Sequence, residues 1–365
     1  MASSELYIGL MSGTSLDGVD AVLMDFSSDR YRIVGDSFLP YDEALRVQLL
    51  GMHETRFDEL HEAALLGNRL SQMYASATRV LLRKCGVRAE EVQALGCHGQ
   101  TIRHRPDAGY TTQLGSGAVL AELTGITVVC DFRSRDIAAG GQGAPLVPAF
   151  HQAVFSHPSI HRVIVNLGGI GNLTDLPASG RVRGFDTGPA NMLMDEWVRK
   201  NSGASFDKDG AWAASGNVVE ELLTALLGHE YFSRKPPKST GRDLFNLAWL
   251  QLYLTGVEEA EDVQATLLAL SAASVAQDIK LYCAGSEEVY VCGGGARNTA
   301  LLTSLRAALP HVTVSTTGDL GIDPDWVEAC AFAWLARQAL HLRPGNLPTV
   351  TGAIGSRVLG AIHPR

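Results

Sequence analysis

The sequence predicts an α/β protein made of two related lobes, and three features of the chain lead to this prediction. Short apolar runs of strand length alternate with longer amphipathic runs of helical length. The strand-like runs end in polar, glycine-rich segments, which is where α/β sheets usually place ligand-binding groups. A strand, a tight turn of small residues and a returning strand occur within residues 6–25 and again within residues 162–176. Because a repeated architecture indicates related units, we divide the chain into an N-terminal lobe, 1–150, and a C-terminal lobe, 151–365.

The N-terminal lobe is predicted to begin with a β-hairpin, because residues 6–10 and 19–25 are apolar runs on either side of a small polar turn. An amphipathic run that stops near Gly86 predicts a helix of several turns, with Thr55 as its N-cap. The other predicted elements are strands over 92–97, 127–130 and 288–292, helices over 192–198, 216–227, 262–283 and 329–336, and a helix from Thr299.

Composition limits the classes of protein to which the chain can belong. Its 365 residues, 46% apolar and 19% charged, suit a globular protein with well-buried cores. The net charge of −9 argues against a nucleic-acid partner held by a broad basic face. The first residues lack the basic and apolar regions of a secretory signal, and no apolar run is long enough to span a bilayer. We therefore expect a cytoplasmic protein with no membrane partner.

The cysteines are scattered along the chain and form no CxxC pair. Several of them lie inside apolar runs, where a thiol behaves as a small packing residue. We interpret them as reduced and buried, with a metal site as the alternative. They are Cys85, Cys97, Cys130, Cys283, Cys292 and Cys330.

The tip of the first hairpin is a candidate polyphosphate site. Glycines let backbone N–H groups approach a phosphate closely, and hydroxyl groups add donors without bulk. Asp17 and Asp20 are candidates to hold Mg²⁺ through its waters. The alternative is a tight hairpin in which these residues serve only the turn. The chain has no GxxxxGKS or GxxxxGKT sequence, so the phosphate-binding candidates are Ser12, Gly13, Thr14, Ser15, Leu16, Asp17, Gly18 and Val19.

Two further glycine-rich turns are candidates for the same ligand. The turn of the second hairpin is expected to contact phosphates from the opposite lobe, although such a turn is commonly structural. A triple-glycine turn follows the predicted strand 288–292 and allows a flat or phosphorylated ligand to approach the backbone. A Rossmann fold is the rival interpretation, but the third glycine of its motif is missing and too little chain follows. The residues of the two turns are Gly168, Gly169, Gly171, Asn172, Gly293, Gly294, Gly295 and Asn298.

Asp186 is a candidate general base. It lies between an apolar run and a stiff Gly-Pro turn, and a general base needs fixed placement of this kind. The alternative from the local sequence is that Asp186 or Thr187 caps the helix that follows.

Other polar segments resemble the arrays that bind sugar hydroxyls. They combine hydrogen-bonding side chains with glycines, although His98 is also interpretable as a core histidine and the basic loop 238–242 as a solvated surface. Glu328 begins an apolar helix, where a carboxylate also favours the helix dipole. The substrate-binding candidates are His98, Gln100, Gln142, Gly143 and Lys238.

Eight segments in the same order resemble the anhydro-N-acetylmuramic acid kinases, and together they span nearly the whole chain. Each motif alone has low specificity. Small departures occur at Gly171, Ala190 and Asp243, and none of them removes a proposed catalytic group. The segments are 9–20 (GLMSGTSLDGVD), 98–101 (HGQT), 131–145, 166–174, 185–191 (FDTGPAN), 238–242 (KSTGR), 292–298 (CGGGARN) and 324–336.

The resemblance implies the fold shared by sugar kinases, actin and the Hsp70 ATPase. This is a two-lobed actin-like ATPase (ribonuclease H-like) fold with ATP and the sugar in an interlobe cleft. It implies a reaction in which ATP, water and 1,6-anhydro-N-acetylmuramic acid give N-acetylmuramic acid 6-phosphate and ADP. Asp186 matches the family's catalytic aspartate, and Glu328 is a second catalytic candidate. The resemblance also implies Mg²⁺ as cofactor, a role in peptidoglycan recycling and a homodimer.

Two alternatives remain open at the level of sequence. A kinase of the same fold acting on another sugar would need the same hairpins and the same Asp186. A non-enzymatic ATP-binding protein would leave Asp186 and the sugar-binding segments without a role.

Overall fold

The computed structural model describes residues 5–13, 15–28, 31–53 and 58–365. The chain forms two compact units, of which the second is the continuous segment His151–Asp325. The first unit combines the chain up to Phe150 with Trp326–Arg365. The division predicted from sequence assigned residues 326–365 to the C-terminal lobe, and the structure corrects it. Thr55, the predicted N-cap of the first long helix, lies outside the described residues.

Strands and helices are mixed along the whole chain, as in an α/β protein. The strands are β1 (Leu6–Met11), β2 (Gly18–Asp25), β3 (Arg32–Pro40), β4 (Val92–Cys97), β5 (Gln100–Arg105), β6 (Tyr110–Leu114), β7 (Val128–Cys130), β8 (Arg162–Leu167), β9 (Ile170–Leu176), β10 (Arg183–Pro189), β11 (Glu288–Cys292), β12 (Thr313–Thr316) and β13 (Ala361–His363). The helices are α1 (Glu43–Gly51), α2 (Glu59–Cys85), α3 (Gly117–Thr124), α4 (Ser134–Ala138), α5 (Val147–Phe155), α6 (Asn191–Ser202), α7 (Glu220–Leu227), α8 (Glu230–Ser233), α9 (Leu247–Gln251), α10 (Ala260–Tyr282), α11 (Thr299–Ala308), α12 (Val327–Leu340) and α13 (Pro348–Thr351).

Both units contain a sheet with the same strand order and the same strand directions. In the first unit the order is β3-β2-β1-β4-β7, with β13 added at the edge, and in the second unit it is β10-β9-β8-β11-β12. The first three strands of each sheet pair antiparallel. The remaining pairs, from β1 to β7 and from β8 to β12, are parallel. This duplicated ribonuclease H-like arrangement confirms the predicted fold class and the internal repeat.

Strand β1 is buried along its whole length because helices cover both faces of the sheet. Leu6, Ile8 and Leu10 point into a core that they share with α2. On the other face, α12 packs directly on β1 and β4 at two glycines. A Cβ at Gly9 would lie 1.8 Å from the Ala329 carbonyl oxygen, and one at Gly96 would lie 2.0 Å from that of Phe332. This close packing explains why residues 326–340 fold with the first unit.

The second unit is organised around α10, whose side chains are buried on most of its surface. Residues of α10, α11 and the sheet strands β8 and β11 form one hydrophobic core. The predicted hairpin of this unit is confirmed, because Asn166 of β8 pairs with Asn172 of β9. Among the described residues, no helix is long and apolar enough to cross a bilayer.

The contact between Gly96 and α12 predicts that Gly96→Ala destabilises the protein. The added methyl would displace helix backbone, and overpacking of this kind costs typically about 1–3 kcal/mol. Chemical denaturation measures the change in the free energy of unfolding. Gly67→Ala is the control, because a Cβ at this helical position meets its nearest atom at 3.5 Å. That substitution is expected to be neutral or stabilising. Equal stability of Gly96→Ala and wild type would contradict the close packing.

Candidate active site

Hydrogen bonds to neighbouring residues of the first unit fix the turn of the first hairpin. The Ser12 hydroxyl donates to the Gly99 carbonyl at 3.1 Å and accepts from the Tyr74 hydroxyl at 2.9 Å. The Gly13 carbonyl accepts from the Gln100 amide nitrogen at 3.1 Å. Ser12 is buried, so its hydroxyl fixes the turn instead of facing a ligand. Thr14, a predicted phosphate-binding residue, lies outside the described residues.

The remaining residues of this turn divide into buried and exposed side chains. Leu16 and Val19 are buried in the core, and a Cβ at Gly18 would lie 2.5 Å from the Leu39 carbonyl oxygen. These three positions therefore have a structural reason for their residue types. Ser15 and Asp17 are exposed, and the serine hydroxyl donates to the Asp17 carboxylate at 2.8 Å.

Asp17 and Asp20 suit a magnesium ion by chemistry. Their carboxylates are hard oxygen ligands, Asp17 is exposed, and Asp20 is partly exposed on β2. Mg²⁺ is usually held by one or two carboxylates together with waters and substrate phosphates, and this pair fits that pattern. The part of the chain that the structure describes contains no cluster of three or more histidine, cysteine or acidic side chains able to hold a metal. The alternative of a cysteine metal site therefore receives no support.

His98 is buried below the hairpin and bridges two partners. Its Nε2 accepts from the Arg133 guanidinium at 2.8 Å, and its Nδ1 lies 3.3 Å from the Ser12 carbonyl oxygen. Because a guanidinium only donates, Nε2 is unprotonated and Nδ1 carries the proton. Burial, followed by the charge of Arg133, lowers the pKa of His98 to about 3, so the ring is neutral near pH 7. Both ring nitrogens are engaged within the protein, which leaves neither for a substrate.

The glycine loop 140–145 is held by Asp136 and Arg133. Asp136 is completely buried, and its Oδ2 accepts from the Gly143 backbone N–H at 2.8 Å. Its Oδ1 accepts from Asn346 at 2.7 Å and from Thr351 at 2.8 Å. Arg133 donates to the Gly143 carbonyl at 2.8 Å. The backbone N–H and the backbone carbonyl of Gly143 are therefore both fixed. Arg133 also links this residue through His98 to the hairpin turn.

Two glutamine side chains of the first unit differ in what they expose. Gln142 is exposed at the surface of the loop, while its backbone N–H donates to the Thr351 carbonyl at 2.7 Å. Gln100 is buried, and its Oε1 has no hydrogen-bond partner in the described ranges. A cavity of about 200 Å³ lies beside His98 and is lined by polar residues that include Ser116, Asp131 and Ser134. Polar lining of this kind suits hydroxyl groups of a sugar.

Glu328 lies in the first turn of α12, as the sequence predicted, and it also has a charged neighbour. Burial raises the pKa of the Glu328 carboxyl, and the nearby charge of Arg133 partly opposes that increase. Burial lowers the pKa of Arg133 to about 10, so the guanidinium stays charged near neutrality. Glu328, Arg133 and His98 therefore form one cluster in the first unit.

Asp186 lies in β10 of the second unit and does not cap α6, whose N-cap residue is Ala190. The capping interpretation is therefore wrong. Asp186 Oδ2 accepts from the Ser239 hydroxyl and from the Thr240 backbone N–H, each at 3.0 Å. Oδ1 has no hydrogen-bond partner among the described residues, and the side chain is half-buried. Burial raises the pKa of the Asp186 carboxyl, while the two donors and the charge of Lys238 lower it.

The two glycine turns of the second unit lie side by side. The Gly168 and Gly169 carbonyls accept from the first backbone N–H groups of α6. Gly293 has φ +77°, and a Cβ there would lie 2.2 Å from Asn166 Oδ1. A Cβ at Gly295 would lie 2.5 Å from that of Leu167, so packing against β8 requires both glycines. The glycine residues thus have a structural role whether or not they also approach a ligand.

The other four predicted residues of these turns have different surroundings. A Cβ at Gly171 would lie 2.8 Å from Thr187 Oγ1, whereas one at Gly294 would lie 3.8 Å from its nearest atom. The Asn298 side chain caps α11 by accepting from the Leu301 N–H at 3.0 Å. Asn172 is half-buried in β9 opposite Asp186. Asn172 is therefore the cross-strand neighbour of the candidate base.

Lys238 is not on an exposed basic loop. Its side chain is 3% exposed and forms an ion pair with Asp278 of α10, whose side chain is 2% exposed. The amine is therefore engaged inside the second unit and does not face solvent as a free cation for an anionic substrate. This placement corrects the surface interpretation of residues 238–242 at Lys238.

Several residues with site roles in the structure were not identified from sequence. Arg133 lay within a segment quoted for the resemblance, but its partners are 35 and 10 residues away along the chain. Asp278 is an acidic residue inside an otherwise apolar stretch of helix, which is a usable signal for a buried ion pair. Asp136 gave no comparable signal, because two of its partners, Asn346 and Thr351, come from the C-terminal segment.

A duplicated sheet of this order, with glycine turns at the strand ends, defines an actin-like, ribonuclease H-like fold. A family model described as anhydro-N-acetylmuramic acid kinase matches residues 5–365. Curated proteins of that name are similar over nearly the whole chain. The one from Thiobacillus denitrificans is 57% identical, covering 99% of this chain and 98% of its own length. The one from Nitrosospira multiformis is 58% identical over 98% of both chains. The chain belongs to the anhydro-N-acetylmuramic acid kinase family.

The raised pKa of Asp186 predicts that Asp186→Asn does not destabilise the protein at neutral pH. A raised carboxyl pKa means that the folded state binds the proton more tightly than the unfolded state. Stability contributed by this group is therefore lost as the pH rises from the ordinary pKa of an aspartate through the raised pKa of the folded state. The amide removes the charge, and its oxygen can still accept from Ser239 and Thr240.

We expect the Tm of Asp186→Asn to equal or exceed that of wild type at neutral pH in thermal denaturation. The difference should shrink at a pH below the ordinary pKa of an aspartate, where both side chains are neutral. A clearly lower Tm at neutral pH would mean that the ionised carboxylate stabilises the fold.

Proposed function

We propose that this chain is an ATP-dependent kinase that opens 1,6-anhydro-N-acetylmuramic acid with water and phosphorylates O6, with Asp186 as the general base. The products are N-acetylmuramic acid 6-phosphate and ADP. The observation that carries the catalytic assignment is the asymmetric anchoring of Asp186. Two donors hold Oδ2, while Oδ1 is left to accept a proton. A general base needs this combination of fixed position and an available oxygen.

In the proposed reaction, Asp186 Oδ1 takes a proton from a water molecule as the water oxygen bonds to the anomeric carbon. The bond between that carbon and O6 breaks, and its electron pair goes to O6. O6 then bonds to the γ-phosphorus of ATP, and the bond to the β–γ bridging oxygen breaks to release ADP. The leaving oxygen of ring opening is the phosphoryl acceptor, so no separate proton donor is needed at O6.

The surroundings of Asp186 support its role as a base. Burial raises the pKa of the carboxyl, which makes the carboxylate a stronger base than one in water. The hydrogen bonds from Ser239 and Thr240 limit that increase and keep the group ionised at a lower pH. Burial is the larger of the two effects, so the pKa of the Asp186 carboxyl stays above its ordinary value.

Residues of the first unit are proposed to bind the sugar. The exposed Gln142 side chain and the unpartnered Gln100 Oε1 offer donors and acceptors for sugar hydroxyl groups. The bonds from Asp136 and Arg133 to Gly143 fix the loop that carries Gln142. Glu328 is proposed to orient substrate or water, with Arg133 as its charged neighbour. His98 contributes indirectly, because it holds Arg133.

The exposed part of the first hairpin is proposed to bind phosphates of ATP. The glycine turns of the second unit are further candidates for binding the nucleotide. Asp17 and Asp20 would hold Mg²⁺, which when bound neutralises charge on phosphate oxygens. Homodimerisation and a cytoplasmic location stay predictions.

The function is tested by measuring ADP release from purified protein with Mg-ATP, with and without 1,6-anhydro-N-acetylmuramic acid. The mass of the sugar product is then measured by mass spectrometry. We expect sugar-dependent ADP release and a product heavier than the substrate by one phosphate and one water. A product heavier by phosphate alone would retain the kinase and refute coupled ring opening. ADP release that ignores the sugar would point to another substrate or a non-enzymatic role.

The base assignment predicts that Asp186→Asn reduces kcat by about a thousandfold or more, near the upper range for a positioned base. ATP binding, measured by calorimetry, should stay close to wild type. Glu328→Gln is the comparison, and we expect a smaller decrease in kcat because Glu328 only orients a reactant. Turnover of Asp186→Asn near the wild-type value would remove Asp186 from the reaction. Unchanged kinetics of Glu328→Gln would leave Glu328 only a role at the helix terminus.

A further inference from the structure

The ion pair between Lys238 and Asp278 is almost completely buried in the second unit. The amine lies 3.0 Å from Oδ1 and 2.9 Å from Oδ2 of the carboxylate, and only the contact to Oδ1 has hydrogen-bond geometry. Taking two charges out of water is costly, and hydrophobic residues of similar size often replace such a pair without loss of stability. Stability alone therefore gives a weak reason for the pair, and its position suggests another.

The Lys238 amine is enclosed by aromatic rings as well as by Asp278. It lies 5.2 Å from the centre of the Tyr231 ring and 6.0 Å from that of the Phe185 ring. A cation over an aromatic face gains electrostatic attraction, which adds to the ion pair. Phe185 directly precedes Asp186 on β10, so the cation packs against the strand that carries the candidate base.

The backbone next to Lys238 is bonded directly to Asp186. The Asp186 N–H donates to the Lys238 carbonyl at 3.1 Å, and the Tyr231 hydroxyl donates to the Asp186 carbonyl at 2.8 Å. The next two residues, Ser239 and Thr240, supply both donors to Asp186 Oδ2. A shift of segment 238–240 would therefore move the backbone bond and both carboxylate bonds together.

We propose that Lys238 and Asp278 position Asp186: their ion pair ties segment 238–240 to α10, and that segment orients the carboxylate and leaves Oδ1 free. Lys238 and Asp278 are thus positioning residues, and Lys238 is not a substrate ligand. The inference rests on the proposed function in taking Asp186 as the base. The anchoring itself is a property of the second unit and can be measured without any substrate.

The pair also acts on Asp186 through its charge. The field of Lys238 lowers the pKa of the Asp186 carboxyl, against the larger effect of burial. The other titratable groups around Asp186 are Tyr231 of α8 and Asp278 of α10. Burial raises the pKa of both groups, and that of Asp278 becomes about 6. From β9 the facing residue is the uncharged Asn172. Removing the cation of Lys238 is therefore expected to raise the pKa of Asp186.

The test uses the full-length chain and two variants that remove the cation in different ways. Lys238→Met with Asp278→Leu replaces the pair by apolar side chains and leaves no buried charge unpaired. Lys238→Gln keeps a hydrogen-bond donor toward Asp278, and it serves if the double variant does not fold. The matched control is Arg162→Met with Glu288→Leu, which removes a largely buried pair of the same unit, 2.8 Å apart, between β8 and β11.

The first measurement is an NMR pH titration of the Thr240 backbone amide, which donates to Asp186 Oδ2. Asp186→Asn identifies the part of the titration that belongs to Asp186. We expect the midpoint to move to higher pH in both variants and to stay unchanged in the control. The second measurement is the pH profile of sugar-dependent ADP release. In both variants kcat should fall most on the acidic side of the profile, while KM for the sugar stays near the wild-type value.

An unchanged Thr240 midpoint in a folded variant would overturn the inference. A rise in the KM for the sugar with an unchanged pH profile would overturn it in favour of direct substrate binding by Lys238. If wild type shows no sugar-dependent ADP release while the Thr240 midpoint still moves, the proposed function fails and the positioning of Asp186 stands.

Discussion

The orientation of the Asp186 carboxylate depends on segment 238–240, which the second unit fixes by hydrogen bonds and by a buried ion pair. Ser239 and Thr240 fix Asp186 Oδ2 from the side chain, and the Lys238 carbonyl fixes the same residue through its backbone. Below them, a buried ion pair ties the segment to the central helix of the core. A half-buried carboxylate in a low-dielectric setting would otherwise protonate or rotate toward solvent. The bonds from segment 238–240 remove that freedom and leave one oxygen open.

In the first unit, too, a hydrogen-bonded network of charged side chains fixes a short backbone segment, but the residues of the network differ. Asp136 accepts from the Gly143 N–H, and Arg133 donates to the Gly143 carbonyl. Arg133 also donates to His98, which bonds the Ser12 carbonyl of the hairpin turn. Charged side chains thus fix backbone instead of projecting toward a ligand. Charge-assisted hydrogen bonds are about twice as strong as neutral ones, so they suit the task of holding a glycine loop with little stiffness of its own. The two networks use different residue types, in units whose sheets share the same order of five strands.

Sequence patterns predicted much of the secondary structure because local periodicity and turn residues determine it. The hairpins β1–β2 and β8–β9, the helices α10 and α12 and the strand position before the triple glycine all followed from such signals. Placement of residues 326–365 failed, because a helix signal does not state which sheet the helix will cover. The close packing of α12 on the first sheet depends on Gly9 and Gly96, which have no side chains.

The candidate site divides in the same way. Asp186 was identifiable from its stiff surroundings, but the choice between base and helix cap needed its actual partners, which lie more than fifty residues away. Lys238 was predicted to bind the substrate, with a solvated surface loop as the alternative, because a run of Lys, Ser, Thr, Gly and Arg is locally typical of a surface. Its burial depends on Asp278, forty residues later on another element. Long-range pairs of this kind leave little local signal, and the resemblance to a family transferred motifs without their contacts.

The first unit is assembled from both parts of the chain that flank the second, and this affects the order of synthesis. Its sheet reaches the end of β7 early, yet α12, which covers one face of β1 and β4, follows residue 326. A ribosome therefore completes the whole second unit while that face of the first sheet is still bare. Gly9 and Gly96 have no α12 to pack against until residues 327–340 are made, so the first unit completes its core only after the second unit has been synthesised.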